Sequence, residues 1–180
     1  MAFDVFSRDL GRYRRDGRLM WFEPSLWVIA VYRFGQWCIG RKNKIIKTIL
    51  MSFHMVLFSS ITLLTGIHLP RGAKIGAGLR IWHWGGVELN PDTIIGENCT
   101  LRHGVTIGNR LADHDVPIIG DNVDIGVGAV IMGDINIGNN VSIGANAVVL
   151  CDVPDNHTAV GVPARVIAKH KNNCELKNSD

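Results

Sequence analysis

The sequence predicts a mainly β fold, a parallel β-helix of hexapeptide repeats preceded by an α-helical N-terminal region. An aliphatic residue recurs every six positions: Ile75, Ile81, Val87, then Ile95, Leu101, Ile107, then Ile119, Ile125, Ile131, then Ile137, Ile143, Val149. Glycine follows many of them, at Gly76, Gly96, Gly108, Gly120, Gly126, Gly138 and Gly144. A fixed six-residue period is the signature of a β-helix. Each aliphatic side chain points at the coil axis, and the glycine after it lets the chain turn where a side chain would clash. One coil cannot close its own core, so neighbouring coils must stack. Upstream, the apolar period is that of a helix.

Residues 1–66 form that helical region. Pro24 suits a first helical turn, and Leu26, Ile29, Ala30, Phe34 and Trp37 give residues 25–40 an amphipathic stripe. The stretch 45–67 is more apolar and long enough to span a bilayer, although Lys47, His54 and six Ser or Thr residues interrupt it. Three readings of it stay open: a transmembrane span, a helix on a membrane surface, and a helix buried in an oligomer. Basic clusters lie at Arg8, Arg12, Arg14, Arg15 and Arg18, and at Arg41, Lys42, Lys44 and Lys47. They would suit an inner-membrane surface or a solvated subunit surface.

The β-helix is expected over 67–168. The step of eight between Val87 and Ile95 implies two extra residues at a corner near Pro91, and the coils then run 75–92, 95–108, 119–136 and 137–150. The step of twelve from Ile107 to Ile119 is read as a polar loop, 109–118, punctuated by Pro117. Residues 169–180 form a polar tail.

Composition narrows the function. The 180 residues carry a formal charge of +3 and 7% aromatics, with no nucleic-acid motif, so DNA or RNA is not an expected partner. Cys38, Cys99, Cys151 and Cys174 show no metal spacing. With no signal-peptide pattern, they are expected as reduced thiols in the cytoplasm.

Two histidines hold equivalent places in the repeat: His83 two residues after Ile81, His103 two after Leu101. Twenty residues apart, they fall on one face in successive coils, beside the loop. Paired imidazoles there suit general-base chemistry near neutral pH.

These residues carry a resemblance. Ala30-Val31-Tyr32-Arg33-Phe34-Gly35-Gln36-Trp37, Gly66-Ile67-His68-Leu69-Pro70-Arg71-Gly72-Ala73-Lys74-Ile75-Gly76 and Gly161-Val162-Pro163-Ala164-Arg165-Val166-Ile167 resemble, in order, the last helix, the lead-in and the exit of the left-handed β-helix acyltransferases of the serine acetyltransferase-like branch. Arg102-His103-Gly104-Val105-Thr106-Ile107-Gly108-Asn109-Arg110 is most similar to the colanic-acid and exopolysaccharide biosynthesis acetyltransferases. The resemblance covers about residues 27–168.

It implies a homotrimer using acetyl-CoA and no metal, with His83 as the base that deprotonates the acceptor hydroxyl. His68 stands where serine acetyltransferases place an orienting aspartate, so Glu88, Asp92 or His103 is left to support His83. Trp82 replaces the aspartate that helps bind serine, and Asp115-Val116 replaces an Arg-His pair of the loop. An amino-acid acceptor needs a cation for its carboxylate. Trp82 and Trp84 instead suit a sugar ring, with Asn109, Arg110, Asp113, His114 and Asp115 of the loop as further acceptor contacts. For the donor, the resemblance implies Gly108, the corners Gly126-Val127-Gly128-Ala129 and Gly144-Ala145-Asn146-Ala147, and Arg165 with Lys169 at the nucleotide phosphates. Three functions are weighed. The first is an O-acetyltransferase acting on a capsular or exopolysaccharide sugar. The second is a serine or other small-molecule acetyltransferase. The third is a β-helix outside the acyltransferases, such as a carbonic-anhydrase-like enzyme with zinc on His83, His103 and His114.

Overall fold

The computed structural model describes residues 2–112 and 114–169. The chain starts with helix α1 (Ala2–Arg12), a hairpin of β1 (Arg14–Arg15) and β2 (Arg18–Leu19), and helices α2 (Pro24–Ile39) and α3 (Lys44–Thr65). Pro24 opens α2. The Asn43 side chain caps α3 by accepting from the Ile45 and Ile46 amides, and Gly66 closes it in the left-handed conformation at φ 66°.

Five turns of parallel β-helix follow. The first three turns are β3 (Ile67–His68), β4 (Lys74–Ile75) and β5 (Arg80–Trp82); β6 (Val87–Leu89), β7 (Ile94–Ile95) and β8 (Thr100–Arg102); and β9 (Thr106–Gly108), β10 (Ile118–Ile119) and β11 (Asp124–Ile125). The last two are β12 (Val130–Met132), β13 (Asn136–Ile137) and β14 (Ser142–Ile143); then β15 (Val148–Val149) and β16 (His157–Val160), with β17 (Arg165–Ala168) folding back antiparallel on β16. The strands stack into three sheets: β3-β6-β9-β12-β15, β4-β7-β10-β13, and β5-β8-β11-β14-β16-β17. The architecture is that of the left-handed β-helix.

The register corrects two expectations. Trp82 pairs with Arg102, and Glu88 with Thr106. The two extra residues of the second turn therefore lie between Trp82 and Glu88, in the corner that carries His83, and not near Pro91. Leu89, opposite Ile107, is the inward hexad member of the first sheet, rather than Val87. Val87, two residues before Leu89 on the same strand face, is also fully buried, as the equivalent Val105, Ala129 and Ala147 are higher up. An eight-residue step split at the wrong corner looks the same in sequence, since both positions are aliphatic. At the corner between the second and third sheets, a Cβ on Gly76 would lie 2.6 Å from the Gly96 carbonyl carbon, and one on Gly96 2.7 Å from that of Gly120. The glycines there are required by the close approach of successive turns.

The helices close the open lower end of the coil. The first turn has no turn beneath it, so its backbone groups need other partners. Tyr32 Oη donates to the Ala73 carbonyl at 2.6 Å and accepts from Ile75 N. Arg33 reaches the Ile75 and Gly76 carbonyls and pairs with buried Asp9, whose Oδ1 accepts from Gly78 N and Leu79 N. Tyr13 and Ser25 satisfy both backbone groups of Ile81. Two arginines of the first basic cluster are part of this seam: Arg12 donates to the Gly78 and Asn98 carbonyls, and Arg8 pairs with Glu97.

Candidate active site

Each turn of the coil bends from the third sheet to the first through one corner, and these corners stack along a single edge of the prism. From bottom to top the edge carries 83–86, 103–104, 126–129, 144–147 and 161–164. Backbone hydrogen bonds join them: Gly104 N to Gly85 O, Gly128 N to His103 O, Asn146 N to Val127 O and Val148 N to Gly161 O. Gly86, Gly104, Gly128 and Asn146 all have left-handed φ, between 54° and 75°. At about 4.8 Å per turn, the edge from His83 to the exit segment is roughly 19 Å long.

His83 is itself left-handed, at φ 65°. That conformation is uncommon outside glycine, although histidine tolerates it better than most residues. It turns the ring out of the coil to stand edge-to-face on His103, with centroids 5.8 Å apart and planes at 74°. Both rings are exposed. The Trp82 ring lies 6.4 Å from that of His83, centroid to centroid, tilted by 49°. Trp82 and Trp84, the residues before and after His83 in the chain, are 43% and 60% exposed, so the corner presents two indoles on open surface.

Trp82 is fixed from behind by a residue that the sequence reading did not single out. Arg80, two positions earlier on the same strand face, is buried between two rings, its guanidinium carbon 3.8 Å from the Tyr13 centroid and 4.3 Å from that of Trp82. Nη2 donates to Glu23 Oε2 at 2.8 Å. Two-residue alternation along a strand puts Arg80 and Trp82 on one face, and that was the available signal. Stacking on the guanidinium leaves Trp82 one free face. Arg102, beside Trp82 in the next turn, pairs with Asp124.

The remaining candidates divide by corner. Gly126, Gly128, Ala129, Gly144 and Ala145 lie on the histidine edge, and Arg165 opens β17 just after the exit segment at its upper end. Lys169 is at the other end of β17, donating to the Asn140 carbonyl and Ser142 Oγ, so it does not accompany Arg165. His68 and Glu88 face each other across β3 and β6, Nδ1 to Oε1 at 2.6 Å. Glu88 is thereby committed to His68, and no carboxylate among the described residues hydrogen-bonds to His83. Asp92 sits past the far end of β6, its amide bonded to the Asn90 side chain.

The loop leaves from a different corner, between the first and second sheets. Gly108 ends β9 there, Asn109 meets Asn90 at 3.4 Å, Asp115 accepts from the Ala112 amide, and Arg110 and His114 are exposed. Asp113 lies outside the described residues. Among the described residues no hydrogen bond, ion pair or ring contact joins the loop to His83 or His103, which corrects the expectation of a loop beside the histidines of its own chain. Nor does any group of three metal-ligating side chains converge among them.

Residues 117–151 match the family of the hexapeptide repeat of succinyl-transferase. The chain is 40% identical over 146 residues to an Escherichia coli (strain K12) protein that bears the name colanic acid biosynthesis acetyltransferase WcaB, covering 79% of this chain and 90% of that one. This chain belongs to the hexapeptide-repeat acyltransferases. It is an acetyltransferase of the type that includes WcaB and the serine acetyltransferases. The serine acetyltransferase of Synechococcus elongatus is 34% identical over 165 residues, 91% of this chain and 64% of that protein. Among solved structures, a serine acetyltransferase in complex with CoA aligns with a TM-score of 0.77 at 28% identity, over 92% of this chain and 69% of that one. The Brucella abortus strain S19 enzyme aligns at 0.73 and 30%, over 92% and 68%. Among the described residues of this acyltransferase, exposed imidazoles, aromatic surface and small-residue corners meet on the edge bearing His83 and His103.

Proposed function

We propose that this acetyltransferase moves the acetyl group of acetyl-CoA to a hydroxyl of a saccharide used in exopolysaccharide or capsule assembly, with His83 as general base. The observation that carries the reading is the pair of exposed indoles, Trp82 and Trp84, on either side of His83 in the chain, with the neighbouring cations already paired. Arg102 is held by Asp124 and Arg80 by Glu23. A sugar stacks its C–H face on an indole, whereas an amino-acid carboxylate needs a free cation.

In the reaction, His83 accepts the hydroxyl proton as the oxygen attacks the thioester carbonyl. A backbone N–H of the glycine corners offers a donor for the oxyanion. Collapse breaks the C–S bond, and the proton on His83 passes to the departing thiolate, which leaves CoA as the free thiol and the acetyl ester on the sugar. His103, packed edge-on against His83, holds the ring in place. The pantetheine arm runs along the edge past Gly126–Ala129 and Gly144–Ala147 toward Arg165.

Three chains form the working unit, the loop 109–118 of one reaching the histidine edge of the next, because its own corner points elsewhere. Such an enzyme works in the cytoplasm, where acetyl-CoA is made. A serine acetyltransferase is the second reading, favoured by the backbone likeness to that group. Thiol release from acetyl-CoA decides between them. Release with lipid-linked oligosaccharide and none with L-serine is expected; release with L-serine alone would overturn the saccharide reading.

A further inference from the structure

Asp9 and Arg80 are both buried charges, but the fold uses them differently. Asp9 is fully engaged, by Arg33 and by the Gly78 and Leu79 amides. Arg80 is 1% exposed, and among the described residues only its Nη2 has a hydrogen-bond partner, Glu23. Nε and Nη1 are buried without an acceptor. The positions paired with it up the third sheet carry shorter side chains: Thr100, Asp124, Ser142 and Thr158. Donors buried without acceptors cost free energy, and an apolar side chain of similar size would fill the space without that cost. Stability does not account for an arginine at this position.

Its contacts do. The guanidinium carbon lies 3.8 Å from the Tyr13 centroid and 4.3 Å from that of Trp82. Tyr13 is itself fixed, its hydroxyl accepting from Ile81 N at 3.1 Å, and Ile81 stands between Arg80 and Trp82 in β5. One short strand thus carries a pile that starts on buried tyrosine and ends on an indole open to solvent. The Trp82 centroid is 6.4 Å from that of His83. An exposed side chain with nothing behind it changes rotamer on a picosecond to nanosecond timescale. We propose that Arg80 is a positioning residue of the acceptor site: it holds the Trp82 indole at one height and tilt beside His83, so acceptor binding depends on an arginine too deeply buried to touch the acceptor. The flat face of the guanidinium is the operative property, since lysine keeps the charge but presents a compact ammonium with no plane to stack. Its part in acceptor binding rests on the saccharide reading of the site; its hold on the indole does not.

The test uses the full chain labelled with fluorotryptophan, the Trp82 fluorine resonance being assigned by its loss in Trp82→Phe. The variants are Arg80→Lys, and Arg80→Met combined with Glu23→Gln so that no carboxylate is left unpaired. In both, the Trp82 resonance is expected to move and broaden while that of Trp37, on the far side of α2, stays. The double variant should melt no lower than the wild type, because it removes a buried ion pair whole. In thiol release with lipid-linked oligosaccharide, the KM for the oligosaccharide should rise about tenfold, with kcat and the KM for acetyl-CoA within about twofold of wild type. An unmoved Trp82 resonance would overturn the proposal whatever the acceptor. So would wild-type behaviour in Arg80→Lys, a loss confined to kcat, or a double variant that melts well below the wild type, which would make Arg80 a structural residue. If the oligosaccharide does not turn over in the wild type, the saccharide reading falls and the resonance alone decides the part of Arg80.

Discussion

At the residue scale, the chemistry rests on a histidine held in a conformation that few side chains accept. The two-residue insertion creates a wider corner at 83–86 than its counterpart at 103–104. Within it His83 is left-handed and projects beside His103. Removing a general base costs roughly two to four orders of magnitude. His83→Ala is therefore expected to lose at least about a hundredfold in thiol release while keeping the wild-type thermal unfolding profile, because the ring is exposed and contributes little packing. His103→Ala should show a smaller loss with an altered pH–rate profile. An unchanged rate in the first variant would remove His83 from the mechanism, and an unchanged profile in the second would reduce His103 to a neighbour. The periodicity of the repeat revealed both histidines. It did not reveal the partnership of Arg80 with Trp82, because a charged residue on an outward strand position is read by default as solvated.

At the element scale, the seam between α2 and α3 contains a histidine that catalysis does not use. His54 is buried against Phe34 and Phe58, and a Cβ on Gly35 would strike its ring at 2.3 Å. Burial, reinforced by the positive charge of Arg71, lowers its pKa from the ordinary value of 6.5. The sign follows from linkage. The folded state disfavours the protonated ring, so the unfolded chain takes up a proton that the folded chain refuses as pH falls below 6.5, and stability present at neutral pH is lost on acidification. The melting temperature should drop between pH 7.5 and about pH 5.5, within the range where histidine titrates. His54→Leu should flatten that drop, and an identical pH dependence in the variant would rule His54 out as its source. In sequence this residue reads only as a polar interruption of an apolar run. Its burial depends on where α2 crosses α3, and no local pattern encodes that crossing.

At the scale of the whole molecule, the loop and the histidine edge belong to different corners of one prism. If the site is completed between chains, two inactive proteins should complement one another. Mixing His83→Ala with a variant whose loop 109–118 is replaced by a short glycine linker, followed by subunit exchange, is expected to restore part of the activity, since some sites then pair an intact histidine with an intact loop. No recovery would mean that each chain builds its site alone. The loop was legible in sequence because the step between successive inward aliphatics, Ile107 and Ile119, is twelve instead of six. Which corner it left from was not, since the same count fits any vertex until the strand register is known.

The sequence by itself determined the repeat, the stacked core and the pair of histidines, because a six-residue period and a two-residue alternation are local regularities that survive without knowledge of contacts. The resemblance added the chemistry. Tertiary structure alone decided where the insertion falls, that Glu88 faces His68, that Arg80 backs Trp82, and that the N-terminal helices close the open end of the coil through Asp9, Tyr13, Tyr32 and Arg33. Each of these depends on groups far apart in the chain meeting in space, where unpaired backbone donors, buried charge and exposed apolar area set the energy.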